Sequence, residues 1–326
     1  MSEREPLLVV RDLSVAYGSD RGTVVAVDHV DFELARGEFL AIVGESGCGK
    51  STLLFALTRL LGPPFSGEII GGEVLFKGRD MVTLGERQMR SIRWRDMSVV
   101  MQSAMNALNP VLTIAAQMRD VCEAHSDMSA DEIRRRSEEV LRLVSIDPVH
   151  LRSYPHQLSG GMRQRAMIAM ALLFTPDLVV MDEPTSALDV VAQRSLIVQI
   201  KELQAKLGFA VIFVTHDMSL VSHFSDRLMV MYAGQIAEVG GTRRIFDKPL
   251  HPYTSGLLEA FPSIRGPNTR LTGIPGSPPN LARPPAGCRF SPRCPHVTDV
   301  CRAHEPQLVD VDGDEVRCVL YNGRAA

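Results

Sequence analysis

Residues 44–52 read Gly-Glu-Ser-Gly-Cys-Gly-Lys-Ser-Thr, and they constrain the fold more than any other part of the chain. They fit the pattern G-x-x-x-x-G-K-S, in which glycines let the backbone wrap closely around an anion. An apolar run at 39–43 precedes them, and a helical pattern follows through Leu61. This order predicts a strand, a phosphate-binding loop and a helix whose N-terminus points at nucleotide phosphates.

Two side chains of this loop have predicted roles. Lys50 is expected to reach the β- and γ-phosphates, and Ser51 is expected to hold Mg²⁺. Cys48 would make the site oxidisable unless its side chain points away from the nucleotide. The remaining loop residues expected to bind the nucleotide, ATP, chiefly through backbone amides, are Gly44, Ser46, Gly47, Cys48, Gly49 and Thr52.

Composition narrows the class of protein. The chain has 326 residues, 45% hydrophobic and 22% charged, as in globular proteins. The net charge of −3 gives no reason to expect nucleic-acid binding. We find no apolar run long enough to span a bilayer, so we expect a cytosolic protein that reaches a membrane only through a partner. In that compartment the six cysteines are not expected to form structural disulfides.

The strand pattern has two parts. Residues 6–36 alternate apolar and polar positions, which predicts antiparallel strands with one solvated face. Later apolar runs predict buried parallel strands, each ending at a polar group. These runs are 39–43 before the loop, 98–101 before Gln102, 178–181 before Asp182 and Glu183, and 210–214 before His216.

The two acids that follow the run 178–181 could have a catalytic role or a structural one. Asp182 suits the coordination shell of Mg²⁺, and Glu183 is placed to polarise the attacking water. The structural alternative is a helix N-cap. The loop at 44–52 in the same chain favours the catalytic role.

A second anion-binding pattern lies at Leu158-Ser-Gly-Gly-Met162, directly before a predicted helix at 163–174. Ser159 is a good N-cap, and Gly160 and Gly161 expose backbone amides at the helix N-terminus. One nucleotide does not need two such cradles in one subunit. Two subunits packed head to tail would use both.

The rest of the chain divides near residue 246. The region 110–175 is predicted to be helical, with Ile133, Val140, Leu141 and Val144 on one face. The arginines at 134–136 are interpreted as a solvated helix face. After residue 246 proline, glycine and cysteine become frequent, which predicts a separate extension outside the sheet.

These motifs, in this order, make residues 7–245 resemble the nucleotide-binding subunit of an ABC transporter. The resemblance implies that Gln102 is the Q-loop glutamine and also contacts Mg²⁺, that 158–162 is the signature and 178–183 the Walker B strand. It implies a D-loop at Asp189, a switch histidine at His216 and stacking of Tyr17 on adenine. Met162 departs from the general signature, which has glutamine there. Glu183, His216 and Gln102 would be the catalytic residues, and the signature would contact ATP of the partner subunit.

The fold implied is an α/β P-loop NTPase with a mixed RecA-like core, an antiparallel β subdomain and an α-helical subdomain. The nucleotide-binding domain would cover 1–245, with the helical subdomain at about 103–175. The C-terminal extension would cover 246–326.

A finer resemblance is carried by 106–114, 251–258 and 287–295, which are similar to oligopeptide/dipeptide importer ATPases, a branch that includes nickel importers. It implies import of peptides that is driven by ATP hydrolysis, with this subunit at the cytoplasmic face of a membrane. The expected partners are two permeases docking near 102–118, a second ATPase subunit and an extracytoplasmic solute-binding protein. The resemblance favours a heterodimer, with a homodimer as the alternative. The alternatives are import of nickel or another small solute, a non-transport ABC ATPase acting on ribosomes or DNA, and a metal-dependent sensor.

Four cysteines of the extension form a candidate metal site: Cys288, Cys294, Cys301 and Cys318. Four thiolates would satisfy a 4Fe–4S cluster, which is the first interpretation. Zinc with His296 and His304 is the second, although the spacing lacks the close cysteine pairs of common zinc sites. The third is reduced cysteines that serve as small buried hydrophobes.

Overall fold

A computed structural model describes residues 6–19, 22–62, 66–102, 107–186, 188–260 and 273–321. Contacts divide the chain into two compact units. We call one the P-loop unit, which holds 6–34, 39–82 and 214–326. We call the other the helical unit, which holds 35–38 and the described residues of 83–213.

The strands, numbered in chain order, are β1 (Pro6–Ser19), β2 (Gly22–Ala35), β3 (Phe39–Val43), β4 (Gly67–Phe76), β5 (Arg79–Asp80), β6 (Met97–Val100), β7 (Leu178–Asp182), β8 (Ala210–Val214), β9 (Arg227–Tyr232), β10 (Gln235–Gly241), β11 (Val309–Val311) and β12 (Asp314–Val316). The helices are α1 (Lys50–Leu57), α2 (Glu86–Ile92), α3 (Ile114–His125), α4 (Ala130–Leu143), α5 (Gly160–Ala171), α6 (Val190–Leu207), α7 (Met218–Val221), α8 (Thr242–Asp247), α9 (Pro252–Glu259) and α10 (Asp299–Ala303). Short 3₁₀ turns occupy Pro148–Arg152 and Pro155–Gln157.

The P-loop unit contains an antiparallel sheet in the order β2-β1-β4-β5. Leu8 lies opposite Phe76 in the β1–β4 ladder, and both side chains are buried. Strand β2 alternates buried and exposed residues over much of its length, as a strand with one solvated face does. The antiparallel strands predicted from residues 6–36 are therefore confirmed.

The same unit contains a second set of neighbouring strands in the order β11-β12-β10-β9-β3. β3 runs parallel to β9, with Val43 opposite Val230. Strands β9 and β10 form a hairpin whose turn residues, Ala233 and Gly234, both have positive φ. β12 pairs with β10 through Glu238 and Val316. The prediction that the C-terminal extension lies outside the sheet is therefore wrong, because its last strands add to the edge formed by β10.

The helical unit contains β6, β7 and β8 side by side. β6 and β7 are parallel, with Val100 opposite Met181. The predicted helical region consists mainly of α3, α4 and α5, and α4 begins at a capping box between Ser129 and Glu132. The apolar face predicted for α4 and its C-terminal end is confirmed, since its members are buried: Ile133, Val140, Leu141 and Val144.

The arginine run on α4 differs from its interpretation as a solvated face. Arg134 and Arg135 are exposed. The Arg136 side chain is only 18% exposed and donates to the carbonyls of Leu172 and Leu173 at 2.9 and 2.7 Å. Those carbonyls follow the end of α5, where backbone acceptors lack helical partners. Arg136 therefore ties two helices together.

Buried strands form the centre of each unit, and every residue of β3, β7 and β8 is buried. Such continuous burial is typical of strands that are covered on both faces. Within the described ranges, none of the helices combines the length and apolar character needed to cross a bilayer.

Candidate nucleotide site

At two positions, the loop between β3 and α1 has a backbone conformation that requires glycine. Gly44 has φ 152°, and a Cβ there would lie 2.3 Å from the Met231 carbonyl oxygen. Gly49 has φ 107°, and a Cβ there would lie 2.3 Å from the Ala26 carbonyl oxygen. Both distances are far below van der Waals contact. The glycines therefore let the loop close tightly before α1, as a phosphate cradle requires.

Lys50, the first residue of α1, is 6% exposed and lies along the loop. Its Nζ donates to the Gly44 and Glu45 carbonyl oxygens at 2.7 and 3.0 Å. Cys48 Sγ lies 3.8 Å from the same Nζ, and burial raises the pKa of this thiol. The Cys48 side chain is therefore buried beneath the loop as a neutral thiol, while Ser46 at the loop tip is exposed.

Tyr17 and the first turn of α1 are in contact. The Tyr17 hydroxyl lies 3.2 Å from Thr52 Oγ1, to which it donates. A Cβ at Gly67 would lie 2.7 Å from the Tyr17 ring, so the glycine makes room for that ring. Tyr17 is half-buried. The structure thus brings Tyr17 to the same end of α1 as Ser51 and Thr52.

In the helical unit, the ends of β6 and β7 bring two predicted residues together. Gln102 Nε2 donates to Glu183 Oε2 at 3.1 Å. Asp182, the last residue of β7, is 2% exposed, and Glu183 follows it with φ 43°. The N-cap of the next helix, α6, is Asp189, whose Oδ1 accepts from the Ala192 amide at 2.9 Å. The cap role considered for the two acids thus belongs to Asp189.

The predicted signature lies at the start of α5. Ser159 is the N-cap, and its Oγ accepts from the Met162 amide at 3.2 Å. Gly160, Gly161 and Met162 form the first turn and are half-buried. A Cβ at Gly161 would meet nothing within 4 Å, so this turn has open space beside it.

His216 follows β8 in the P-loop unit and is exposed. The next residue, Asp217, caps α7 by accepting from the Ser219 amide at 2.8 Å. Parts of two predicted segments lie outside the described residues: 103–106 in the permease-docking segment and Ala187 in the D-loop.

The four cysteines of the extension line one small cavity, with His251 and His296 also in its wall. The Cys288 amide donates to the Cys301 carbonyl at 2.8 Å. Burial raises the pKa values of Cys288 and Cys294, and that of Cys318 to about 11. No group of three or more His, Cys, Asp or Glu side chains is arranged to hold a metal ion in the part of the chain that the structure describes. The predicted iron–sulfur or zinc site therefore stays a prediction.

Sequence reasoning missed Glu45 and Arg293 as residues of this site. Arg293 contacts the Glu45 carboxylate, and Tyr253 contacts the Glu45 amide. Glu45 occupies a variable position of the loop pattern. Arg293 lies between Cys288 and Cys294, in a segment noted for its cysteines and for its likeness to other proteins but not for its arginine. A pairing across 248 residues leaves no local sequence signal.

Comparison with known proteins decides the family. Residues 27–186 match the family model described as ABC transporter, and 237–301 match the oligopeptide/dipeptide transporter, C-terminal region. The dipeptide transport ATP-binding protein DppD of Bacillus subtilis is 45% identical over 324 residues, which are 98% of this chain and 96% of that protein. The chain belongs to the ABC transporter ATP-binding proteins. The oligopeptide transport ATP-binding protein OppD of Salmonella typhimurium is 42% identical over 92% of this chain and 89% of its own length.

Solved structures agree with this family. The bacterial ABC transporter cassette MJ0796, solved as a dimer, has a TM-score of 0.64 and 28% identity and covers 72% of this chain and 99% of its own. The same cassette was also solved in a post-hydrolysis state with ADP and Pi, with the same TM-score and coverage. The predictions of an α/β P-loop NTPase of the ABC class and of an ATPase are confirmed.

Proposed function

We propose that this chain is the ATP-hydrolysing subunit of a membrane importer for dipeptides or oligopeptides. The observation that carries the proposal is the likeness to a dipeptide transport ATP-binding protein over 98% of the chain, including the C-terminal region. The subunit would act at the cytoplasmic face of the membrane with two permeases, which would dock near 102–118. A solute-binding protein outside the membrane would deliver the peptide.

The proposed domain organisation follows from the same motifs. Residues 1–245 would form the nucleotide-binding domain, with a helical subdomain at about 103–175. Residues 246–326 would form an extension that serves the peptide-importer branch. Two such nucleotide-binding domains, in a heterodimer with a related subunit, would enclose two ATP molecules.

ATP would bind to the loop between β3 and α1. The tight backbone at Gly44 and Gly49 fits a phosphate cradle, because a side chain at either position would collide with neighbouring carbonyls. Lys50 would leave the carbonyls of Gly44 and Glu45 to reach the phosphates, and Tyr17 would stack on the adenine ring. Ser51, Gln102 and Asp182 would hold Mg²⁺, which neutralises phosphate charge when it is bound.

Hydrolysis would depend on Glu183 and His216. Glu183 would accept a hydrogen bond from the attacking water and orient it, because its carboxylate is already held by Gln102 at 3.1 Å. His216 would contact the γ-phosphate. Phosphoryl transfer asks mainly for positioning and charge stabilisation, which these side chains supply.

The start of α5 would act on the nucleotide of the partner subunit. The open space beside Gly161 and the free face of the first turn suit an approaching phosphate. Ser159, Gly160, Gly161 and Met162 would form this second cradle, and Asp189 would lie at the subunit contact.

For the cysteine cavity we propose a 4Fe–4S cluster, with zinc as the alternative. What supports it is the convergence of four thiols from separate positions on one cavity. Iron, sulfide and zinc analysis of the anaerobically purified chain tests it, with Cys288→Ser as the variant and Cys122→Ser as the matched control. Metal that is present in wild type and lost only in Cys288→Ser supports the site, and a metal-free wild-type chain refutes it.

The importer assignment is tested by purifying the tagged chain from gently solubilised native membranes. Two multi-span permeases together with a second ATPase subunit are expected to co-purify. A soluble complex with ribosomes or DNA and without a permease would refute the importer while leaving the ATPase intact.

A further inference from the structure

The C-terminal region of the P-loop unit holds the second residue of the phosphate-binding loop. The Glu45 amide donates to Tyr253 Oη at 3.0 Å. The Glu45 carboxylate accepts one hydrogen bond from each terminal nitrogen of Arg293, at 2.7 and 2.9 Å. Because a bidentate pair fixes both distance and orientation, Glu45 is held at its backbone and at its side chain.

The Arg293 side chain is also held by groups outside the loop. This side chain is 5% exposed. Its Nε donates to the Pro275 carbonyl at 2.9 Å, and one terminal nitrogen donates to Tyr232 Oη at 3.3 Å. The guanidinium carbon lies 5.8 Å from the centre of the Tyr232 ring. An arginine held by this many groups loses little further freedom when it binds a carboxylate.

A second arginine of the same segment contacts the strand hairpin that supports the loop. Arg289 donates to the Ala233 carbonyl at 2.5 Å and is paired with Asp28. The neighbouring Gly234 amide donates to the Cys48 carbonyl at 2.8 Å. The segment 288–294 therefore contacts the loop directly through Arg293 and indirectly through Arg289.

The charge of Glu45 gives the direct contact a consequence for nucleotide binding. The Glu45 carbonyl accepts from Lys50 Nζ at 3.0 Å, so Glu45 belongs to the loop that Lys50 serves. An uncompensated carboxylate in that loop would repel a triphosphate, and the effect is strong where water is excluded. The buried guanidinium of Arg293 removes most of this repulsion.

We propose that Arg293 is a positioning residue of the nucleotide site, which neutralises Glu45 and holds the loop in a form that accepts ATP. The proposal rests on the proposed nucleotide site at 44–52. It assigns the C-terminal region a role in ATP affinity. Because ATP carries more negative charge than ADP, the effect on ATP is the larger one.

The test measures dissociation constants of ATP and ADP for the purified full-length chain. Arg293→Met is expected to weaken ATP binding about tenfold, and ADP binding less. The double variant Glu45→Gln/Arg293→Met is expected to bind ATP more tightly than Arg293→Met alone, since the uncompensated charge is gone. Arg302→Met is the matched control, because Arg302 is an exposed arginine of the same region, and it is expected to match wild type.

Two results would overturn the proposal. One is wild-type ATP affinity in Arg293→Met. The other is a double variant that binds ATP as weakly as Arg293→Met, since this would assign the loss to packing around Pro275 and Tyr232. If Arg293→Met does not fold, the neutral polar variant Arg293→Gln replaces it, and the expected result is a loss of ATP affinity that Glu45→Gln relieves.

The proposed nucleotide site is tested in parallel with Lys50→Ala. If Lys50→Ala binds ATP as wild type does, the site itself is misassigned. If Lys50→Ala loses ATP binding while Arg293→Met keeps it, the site stands and only the role of Arg293 fails.

Discussion

Gln102 Nε2 donates to Glu183 Oε2 across 3.1 Å, which joins the residues that follow two parallel strands, β6 and β7. The pair holds a carboxylate at the edge of the sheet where open α/β sheets bind their ligands. Because Glu183 also has a positive φ of 43°, its side chain leaves the strand in a direction that a regular strand residue would not take. The arrangement suits a carboxylate that orients a water molecule.

Glu183→Gln is therefore expected to retain ATP binding and to lower the turnover number about 100-fold or more, because the amide cannot accept a proton from water. Steady-state phosphate release and a parallel ATP titration measure the two effects. Glu202→Gln, at an exposed position of α6, is the matched control and should hydrolyse ATP as wild type does. Normal turnover in Glu183→Gln would remove Glu183 from the catalytic role.

Gly49→Ala is expected to lower the thermal unfolding midpoint and to weaken ATP binding at least tenfold. The φ of 107° and the 2.3 Å approach to the Ala26 carbonyl force the loop to shift, at a cost of about 1–3 kcal/mol from backbone strain alone. Gly71→Ala is the control, because a Cβ at Gly71 meets nothing within 4 Å. Equal midpoints and equal ATP affinities for both variants would contradict the tight loop.

Ser159→Arg should leave ATP binding in its own subunit unchanged and abolish hydrolysis in the site of its partner. A large cation at the N-cap blocks the first turn of α5 and opposes the positive end of the helix. The effect is measured as phosphate release from mixtures of the variant and the wild-type chain at varied ratios, each assembled with the second ATPase subunit. Ser159→Ala, which removes only the cap at a cost of about 1 kcal/mol, is the control. Unchanged activity in every mixture would place the second cradle elsewhere.

His251 predicts a specific pH dependence of stability. It is 3% exposed, and burial lowers its pKa from 6.5 to about 4. Its Nδ1 accepts from the Tyr253 amide at 3.0 Å, which requires the neutral ring. Since the folded state disfavours the proton, this stabilisation is complete above pH 6.5 and is lost as the pH falls toward 4.

His251→Asn keeps an N-cap acceptor but cannot titrate. Between pH 7 and pH 4 the wild type is expected to lose about 3 kcal/mol more of its free energy of unfolding than this variant does. Denaturant titrations at several pH values provide the measurement. His304→Asn, at an exposed position, should follow the wild-type curve. Parallel curves for wild type and His251→Asn would show that the buried ring does not resist protonation.

The sequence predicted the parts of the fold that depend on local pattern. The apolar runs that form β3, β7 and β8 are each followed by, or end in, polar residues. Both the strand conformation and the position of the polar residues at the strand ends could therefore be predicted from the sequence. The helix after the loop was predicted through Leu61, but α1 ends at Leu57. At the end of the helix, Thr58 Oγ1 donates to the Leu54 carbonyl and Arg59 has a φ of 55°. The spacing of apolar residues does not predict either feature.

The parts that could not be predicted depend on contacts between distant residues. β10 is buried over nearly its whole length, without an alternation of buried and exposed residues. Its pairing with β12 therefore leaves no pattern in the sequence. Arg136 lies in a run of arginines that predicts a solvated helix face, yet its side chain contacts the backbone that follows α5. Arg293 and Glu45 belong to opposite ends of the chain, and only the fold brings them together.

The central claim is that ATP hydrolysis by this chain drives peptide import, and transport by the reconstituted complex tests it most directly. The complex purified through this chain would be placed in vesicles with its solute-binding protein and a mixture of di- and oligopeptides. Mass spectrometry of the captured contents would measure uptake. We predict accumulation of peptides that requires ATP and disappears with Glu183→Gln. ATP hydrolysis at a normal rate without any accumulated peptide would contradict the account.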